Sequence, residues 1–168
     1  MRTLYLLSVG LHLLAAATWI GSLTFFGAVL VPALRAPDLE PIRARVLTVV
    51  GLRYRLVGWL SLAVLVVTGV ANLWLRGASL RALADPAFWA SPWARVLAWK
   101  LALVALLIGV HLLHEVVLGP RAAHLLELDP ESGEAAHARR SASWLGRLEL
   151  AISLAVLGFA VLLVRGLP

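Results

Sequence analysis

The fold is decided by an uncharged stretch near the start of the chain, TLYLLSVGLHLLAAATWIGSLTFFGAVLVPAL, at Thr3–Leu34. An apolar segment of about 20 residues is enough to cross a bilayer as a helix, so this stretch predicts a membrane span over 3–33. The stretch holds one histidine, His12, and seven residues later Trp19. Seven residues is close to two helical turns, so both side chains are predicted on one face. A titratable ring inside a span is by default a candidate functional residue.

The rest of the chain has the composition of a membrane protein. Of its 168 residues, 61% are hydrophobic and 14% are charged, whereas soluble domains have about 25% charged residues. Further apolar stretches predict spans over 56–76, 93–119 and 144–165. With short connections between spans, we expect an all-α fold. It would be a single integral membrane domain, 1–168, built as an antiparallel four-helix bundle in contact with the lipid bilayer.

Residue types that are missing exclude several kinds of site. The chain has no cysteine, which excludes disulfides, iron–sulfur clusters and covalently attached haem. The net charge of +6 is typical of orientation signals and lipid contact in a membrane protein. No nucleic-acid motif is present, so we expect no nucleic-acid partner.

The distribution of Lys and Arg predicts the orientation of the spans. The connections between spans one and two and between spans three and four hold nine: Arg35, Arg43, Arg45, Arg53, Arg55, Arg121, Arg139, Arg140 and Arg147. The opposite side holds six: Arg2, Arg76, Arg81, Arg95, Lys100 and Arg165. Since the richer side is usually cytoplasmic, we expect a multi-pass protein of a prokaryotic inner membrane with both termini outside.

Signals between the spans predict their ends. An apolar helical period within the polar stretch 35–55 indicates an interfacial helix leading into the second span. Residues 76–92 are predicted to form a loop, and 121–143 a solvated segment. The pair Gly119-Pro120 predicts the end of the third helix.

Candidate site residues lie at two depths of the predicted bundle. His12 and Lys100 lie near the outer surface, at the level of Thr68 and Asn72. His111 lies near the inner surface, roughly 10–15 Å from His12 along the membrane normal at about 1.5 Å per residue. The two histidines therefore predict either one strongly tilted cofactor site or two separate sites.

The inner end has its own group of ligand-type side chains. His111, His114 and Glu115 share one helix face at spacings i, i+3 and i+4, so two of them can bind one small metal ion. They cannot sandwich a haem, because they project from one side of one helix. A second axial ligand would come from another helix or from a second protomer, which makes a homodimer one hypothesis.

Arginines at the inner end are candidate partners for anionic groups. The predicted set is Arg53, Arg55 and Arg147, facing either the carboxylates Glu115 and Glu149 or the propionates of a haem. Snorkelling at the membrane surface is the alternative role for these arginines.

Three segments resemble known membrane families. LHLLAAATWIGSLTFFGAVLVPALR (11–35) and LVVTGVANLWL (65–75) resemble the first and second helices of copper-resistance D-like proteins. WKLALVALLIGVHLLHEVVLGPR (99–121) resembles the third helix of the related four-helix protoporphyrinogen oxidase family (HemJ-like). In that family a lysine precedes a histidine by eleven residues, as Lys100 precedes His111.

These resemblances imply two functions. The oxidase family implies b-type haem, with His12 matching a histidine implicated in ligation, and the copper-resistance family implies copper uptake across the inner membrane. Apart from Met1 the chain has no methionine and no cysteine, so either metal would depend on imidazole.

The leading hypothesis is a membrane b-type haem protein for electron transfer or redox chemistry, with a redox partner or quinone. If it is an enzyme, we expect an oxidoreductase acting on a quinol or porphyrinogen. The residues predicted to contact the cofactor are His12, His111, Trp19, Lys100, Arg53 and Arg147. The alternatives are a copper transport or resistance protein, with His12, His111, His114 and Glu115 as metal ligands, and a non-catalytic assembly subunit.

Overall fold

The computed structural model describes residues 2–129 and 132–165, which form helices and, within those ranges, no strand. Four helices are long and apolar enough to cross a membrane. They are α1 (Arg2–Ala33), α2 (Pro37–Leu75), α3 (Pro92–Leu125) and α4 (Gly133–Arg165). The chain is thus a multi-pass membrane protein.

The connection between α2 and α3 contains two short helices, Leu80–Ala84 and Pro86–Trp89, where a loop was predicted. Ser79 and Asp85 cap them by accepting backbone N–H groups, and Ser91 caps α3 in the same way. Such side-chain caps satisfy backbone donors that have no partner in the first turn of a helix.

A π-helical segment interrupts both α1 and α3 shortly before a proline. In α1 the segment Phe26–Leu30 precedes Pro32, and in α3 the segment His114–Leu118 precedes Pro120. A proline removes a backbone hydrogen bond and crowds the carbonyl four residues earlier. The wider π turn accommodates this disturbance, so the predicted helix end at Gly119-Pro120 is wrong, and α3 continues past Pro120.

Helices α2 and α4 begin earlier than the sequence predicted. The α-helical part of α2, Glu40–Leu75, has 36 residues, about 54 Å at 1.5 Å per residue, which exceeds a hydrocarbon core of about 30 Å. The predicted interfacial helix is therefore the first part of α2 itself. In the same way α4 already begins at Gly133, within the segment predicted to be solvated.

The helices pack as neighbours in sequence, α1 along α2 and α3 along α4, and α1 also contacts α4. All four helices meet in one buried apolar layer, formed by Trp19, Leu23, Leu62, Leu107 and Ile152. We call it the apolar layer. Trp19 of this layer also contacts His111.

Candidate functional site

His111 is fully buried and is held by three helices. The rings of Trp19 and Trp59 contact it edge-on, with centroid distances of 4.9 Å and 4.8 Å. Gly58 lies next to the ring, since a Cβ atom there would be 3.6 Å from His111 Cε1 and 3.8 Å from Nε2. The imidazole therefore has a fixed orientation, with Nε2 toward the backbone of α2.

Glu149 of α4 bridges two histidines of α3. Its Oε2 lies 3.5 Å from His111 Nδ1, and its Oε1 lies 3.4 Å from His114 Nδ1. The sequence had placed Glu149 only at the start of the fourth span and had not included it among the ligands. The signal that could have identified it is its position as an acidic side chain followed by apolar residues inside a span.

The polar atoms of this cluster lack ordinary hydrogen-bond partners. Within the described part of the chain, no hydrogen bond is made by His111 Nδ1 and Nε2, His114 Nδ1 or either carboxylate oxygen of Glu149. The gaps of 3.4–3.5 Å to Glu149 exceed the usual hydrogen-bond range of about 2.7–3.2 Å. Buried polar atoms are nearly always paired, and exceptions point to a bound ion, a water or a functional role.

A chain of polar side chains connects the cluster with the surface. Arg55 Nε lies 3.2 Å from Glu115 Oε2, and Glu115 Oε1 lies 3.8 Å from His114 Nδ1. Exposure of the side chains falls from 45% at Arg55 to 21% at His114 and 11% at Glu115, and to zero at Glu149 and His111. The exposed end of this chain of side chains is Arg55. We call these five side chains the inner cluster.

His12 lies in different surroundings, against α2. Its Nδ1 is 2.8 Å from Thr68 Oγ1, and the Thr68 hydroxyl donates its single proton to the carbonyl of Val64 at 2.5 Å. A hydroxyl that donates there can still accept through its lone pairs, so Thr68 Oγ1 can accept from His12 Nδ1–H. The ring also packs against Gly69, where a Cβ would lie 3.6 Å from His12 Cε1.

The two histidines contact α2 at separate levels, His12 at Gly69 and His111 at Gly58. Eleven residues of helix correspond to about 16 Å. Trp19 was predicted to accompany His12, but its ring contacts His111 and its Nε1 donates to Ser153 Oγ at 2.9 Å.

The residues around His111 show whether a haem could bind there. A porphyrin bound to this histidine would need the space that Trp19, Trp59 and the α2 backbone at Gly58 occupy. The described residues therefore do not fit a haem at His111.

The remaining predicted residues divide between the two levels. Arg53 and Arg147 are exposed and form no ion pair within the described ranges, whereas Arg55 is the arginine that pairs with Glu115. Lys100 is half-buried and lies within electrostatic reach of His12.

The described residues contain no ready-made group of three or more His, Cys, Asp or Glu ligands around one point. His111, His114 and Glu115 therefore do not converge as a preformed chelate. Glu115 faces Arg55 instead, and the two imidazoles share Glu149.

Comparisons with known proteins relate the chain to one family. The model of the family described as copper resistance protein D matches residues 48–163, more than half of the chain. This range includes the whole inner cluster but not His12. A protein of Aquifex aeolicus (strain VF5), described as "Uncharacterized protein", is 30% identical over 155 residues, which cover 92% of this chain and 89% of that protein. No solved structure matches the chain significantly.

Proposed function

The chain belongs to the copper resistance protein D family, and on this premise we propose that it binds copper inside the membrane and transports it. The observation that carries the proposal is the buried group of unpaired donor atoms on His111, His114 and Glu149. Two imidazoles suit Cu(II), which accepts nitrogen ligands. A chain without cysteine, and with Met1 as its one methionine, offers no soft ligands inside the spans.

Glu149 has the position of a group that orients metal ligands. A metal-binding histidine commonly donates its second ring N–H to a carboxylate, which fixes the tautomer and raises the basicity of the ligating nitrogen. With Nδ1 of His111 and His114 directed at Glu149, Nε2 of each ring is the nitrogen that binds copper. At His111 this nitrogen lies near Gly58, where a Cβ atom would be 3.8 Å from Nε2.

The scattered ligands favour transport over storage. Conduction through a membrane requires several weak sites, because a tight site would not release the ion. The inner cluster offers two imidazoles in succession, the partly exposed His114 and the buried His111, and no three-ligand chelate within the described residues. Copper would pass from one imidazole to the other, and water would complete its coordination.

The location of the inner cluster follows from the charge distribution. Arg55 belongs to the side with nine Lys and Arg residues, which the positive-inside rule assigns to the cytoplasm. We therefore propose that the inner cluster opens to the cytoplasm of a prokaryotic cell and that both termini lie outside.

Copper flux into proteoliposomes tests this proposal. We expect liposomes that contain the protein and an internal copper-sensitive dye to take up Cu(II) several-fold faster than protein-free liposomes. Magnesium, a hard cation that prefers oxygen ligands, is the control ion for general leakage. A copper flux equal to that of protein-free liposomes would contradict the proposal.

Haem b is the second candidate ligand, and the observation that favours it is the His12 ring, which Thr68 holds through Nδ1. The other ring nitrogen, Nε2, would bind iron, and the ligand would give the protein a redox role. The visible spectrum of dithionite-reduced protein, expressed with haem available, tests this candidate. Sharp α and β bands that are lost in His12→Ala would support it, and a colourless protein would exclude it.

A further inference from the structure

Tyr54 of α2 carries a buried hydroxyl that has no hydrogen-bond partner among the described residues. Its ring packs against the apolar layer, and the centre of the ring lies 5.4 Å from that of Phe26. Apolar contacts therefore hold the ring, while the hydroxyl at its tip is unpaired. A buried tyrosine hydroxyl usually has a hydrogen-bond partner, so we expect this one to bind a group that does not belong to the chain.

Helix α2 places Tyr54 beside the inner cluster. Tyr54 lies one turn before the buried Gly58, and residues four apart share one helix face. Gly58 lies next to His111, because a Cβ atom there would be 3.6 Å from His111 Cε1. The residue after Tyr54 is Arg55, whose Nε lies 3.2 Å from Glu115 Oε2. Tyr54 is therefore on the buried face of α2, at the level of the pair between Arg55 and Glu115 and one turn from the level of His111.

Buried side-chain atoms without a hydrogen bond are concentrated at this end of the molecule. Among the described residues they belong to Tyr54, His111, His114 and Glu149, and at the outer level to Asn72. The carboxylate of Glu149 also lies within electrostatic reach of the Tyr54 hydroxyl. A carboxylate only accepts hydrogen bonds, whereas a phenol hydroxyl can donate one and accept another. Tyr54 thus adds to this group of side chains an oxygen that can hold a water molecule.

We infer that Tyr54 is a positioning residue for copper, and that its hydroxyl binds the water which completes the coordination of the ion at His111 and His114. The inference rests on the proposed copper transport and names the residue that holds the water ligand. A hydrogen bond from the protein fixes the position of a bound water. Groups that orient a metal ligand in this way typically change the affinity for the metal by about 10–100-fold.

Tyr54→Phe tests the inference, because it removes the hydroxyl and keeps the ring that contacts Phe26. We expect the full-length variant in detergent to bind Cu(II) about tenfold more weakly than wild type in a competition titration against a chelator. Pulsed electron paramagnetic resonance in deuterated buffer detects the deuterium of water bound to Cu(II). The variant is expected to lose the deuterium coupling of the ordered water and to keep the nitrogen signal of the bound imidazoles.

Tyr5→Phe is the matched control, since Tyr5 is the other tyrosine of the chain and its hydroxyl accepts from Arg76 Nε at 3.0 Å, far from the inner cluster. It should leave both the affinity and the deuterium coupling unchanged. Unfolding of the copper-free protein in denaturing detergent is a second readout. Removing a hydroxyl that has no protein partner loses no hydrogen bond, so copper-free Tyr54→Phe should be as stable as wild type. A clearly less stable variant would assign the hydroxyl a structural hydrogen bond and overturn the inference.

Two further results would contradict the role of Tyr54. One is wild-type affinity together with an unchanged deuterium coupling in Tyr54→Phe. The other is an intense visible absorption band of the Cu(II)-loaded protein that Tyr54→Phe abolishes, because the phenol oxygen would then bind copper directly. The proposed function fails in a different way, by the absence of any imidazole signal from wild-type protein with Cu(II). That result would remove copper from the inner cluster whatever the Tyr54 variant does.

Discussion

Replacing His111 by alanine is expected to abolish copper flux into proteoliposomes and to weaken Cu(II) binding by more than about 100-fold. The loss should exceed the roughly 10–100-fold typical of groups that only orient a ligand, because His111 is a proposed ligand itself. It is the most deeply buried imidazole, and Trp19 and Trp59 fix its ring. Competition titration against a chelator gives the affinity, and the liposome assay gives the flux.

His124→Ala is the matched control for this substitution. His124 lies on the continuation of the same helix but is exposed and makes no described contact with the inner cluster. Its removal is expected to leave both affinity and flux within about twofold of wild type, since surface substitutions rarely have large effects. Equal behaviour of the His111 and His124 variants would mean that copper does not use the inner cluster.

Exchanging Glu149 for glutamine is expected to weaken copper binding by about 10–100-fold, as for other side chains that orient a metal ligand. The amide keeps the shape but has a single acceptor oxygen for two imidazoles. His111 and His114 then compete for one partner, and the negative charge that favours a bound cation is lost.

The same variant should also be less stable without metal. A buried donor that loses its partner costs about 1–3 kcal/mol, and Glu149 is fully buried between two rings. Unfolding in mixed micelles of increasing denaturing-detergent content measures this loss. Glu134→Gln, an exposed carboxyl in the first turn of α4, is the control. A Glu149 variant with wild-type affinity would contradict the orienting role.

The hydrophobic pattern was sufficient to predict the spans and the level of several polar residues. Four helices of spanning length are present, and Thr68, predicted at the depth of His12, contacts it. Among the possible pairs at the inner end, the one between Arg55 and Glu115 is present. These features depend mainly on positions along single helices, which a sequence displays directly.

The contacts of Glu149 could not be predicted from positions along a single helix. Whether residue 149 reaches residue 111 depends on the relative rotation and shift of α3 and α4, which no periodicity in either helix specifies. The π-helical segment beginning at His114 changes that rotation by widening one turn. The sequence predicted that the helix ends at Pro120, whereas the wider π turn lets the helix continue beyond this proline.

Pulsed electron paramagnetic resonance of the Cu(II)-loaded protein tests the central claim, that copper binds at His111 and His114, most directly. This method detects the remote nitrogen of an imidazole bound to Cu(II). We predict an imidazole signal in the wild-type protein and its loss in the double variant His111→Ala/His114→Ala, with the signal retained in His12→Ala. An unchanged signal in the double variant would contradict the account, because copper would then be bound by other histidines.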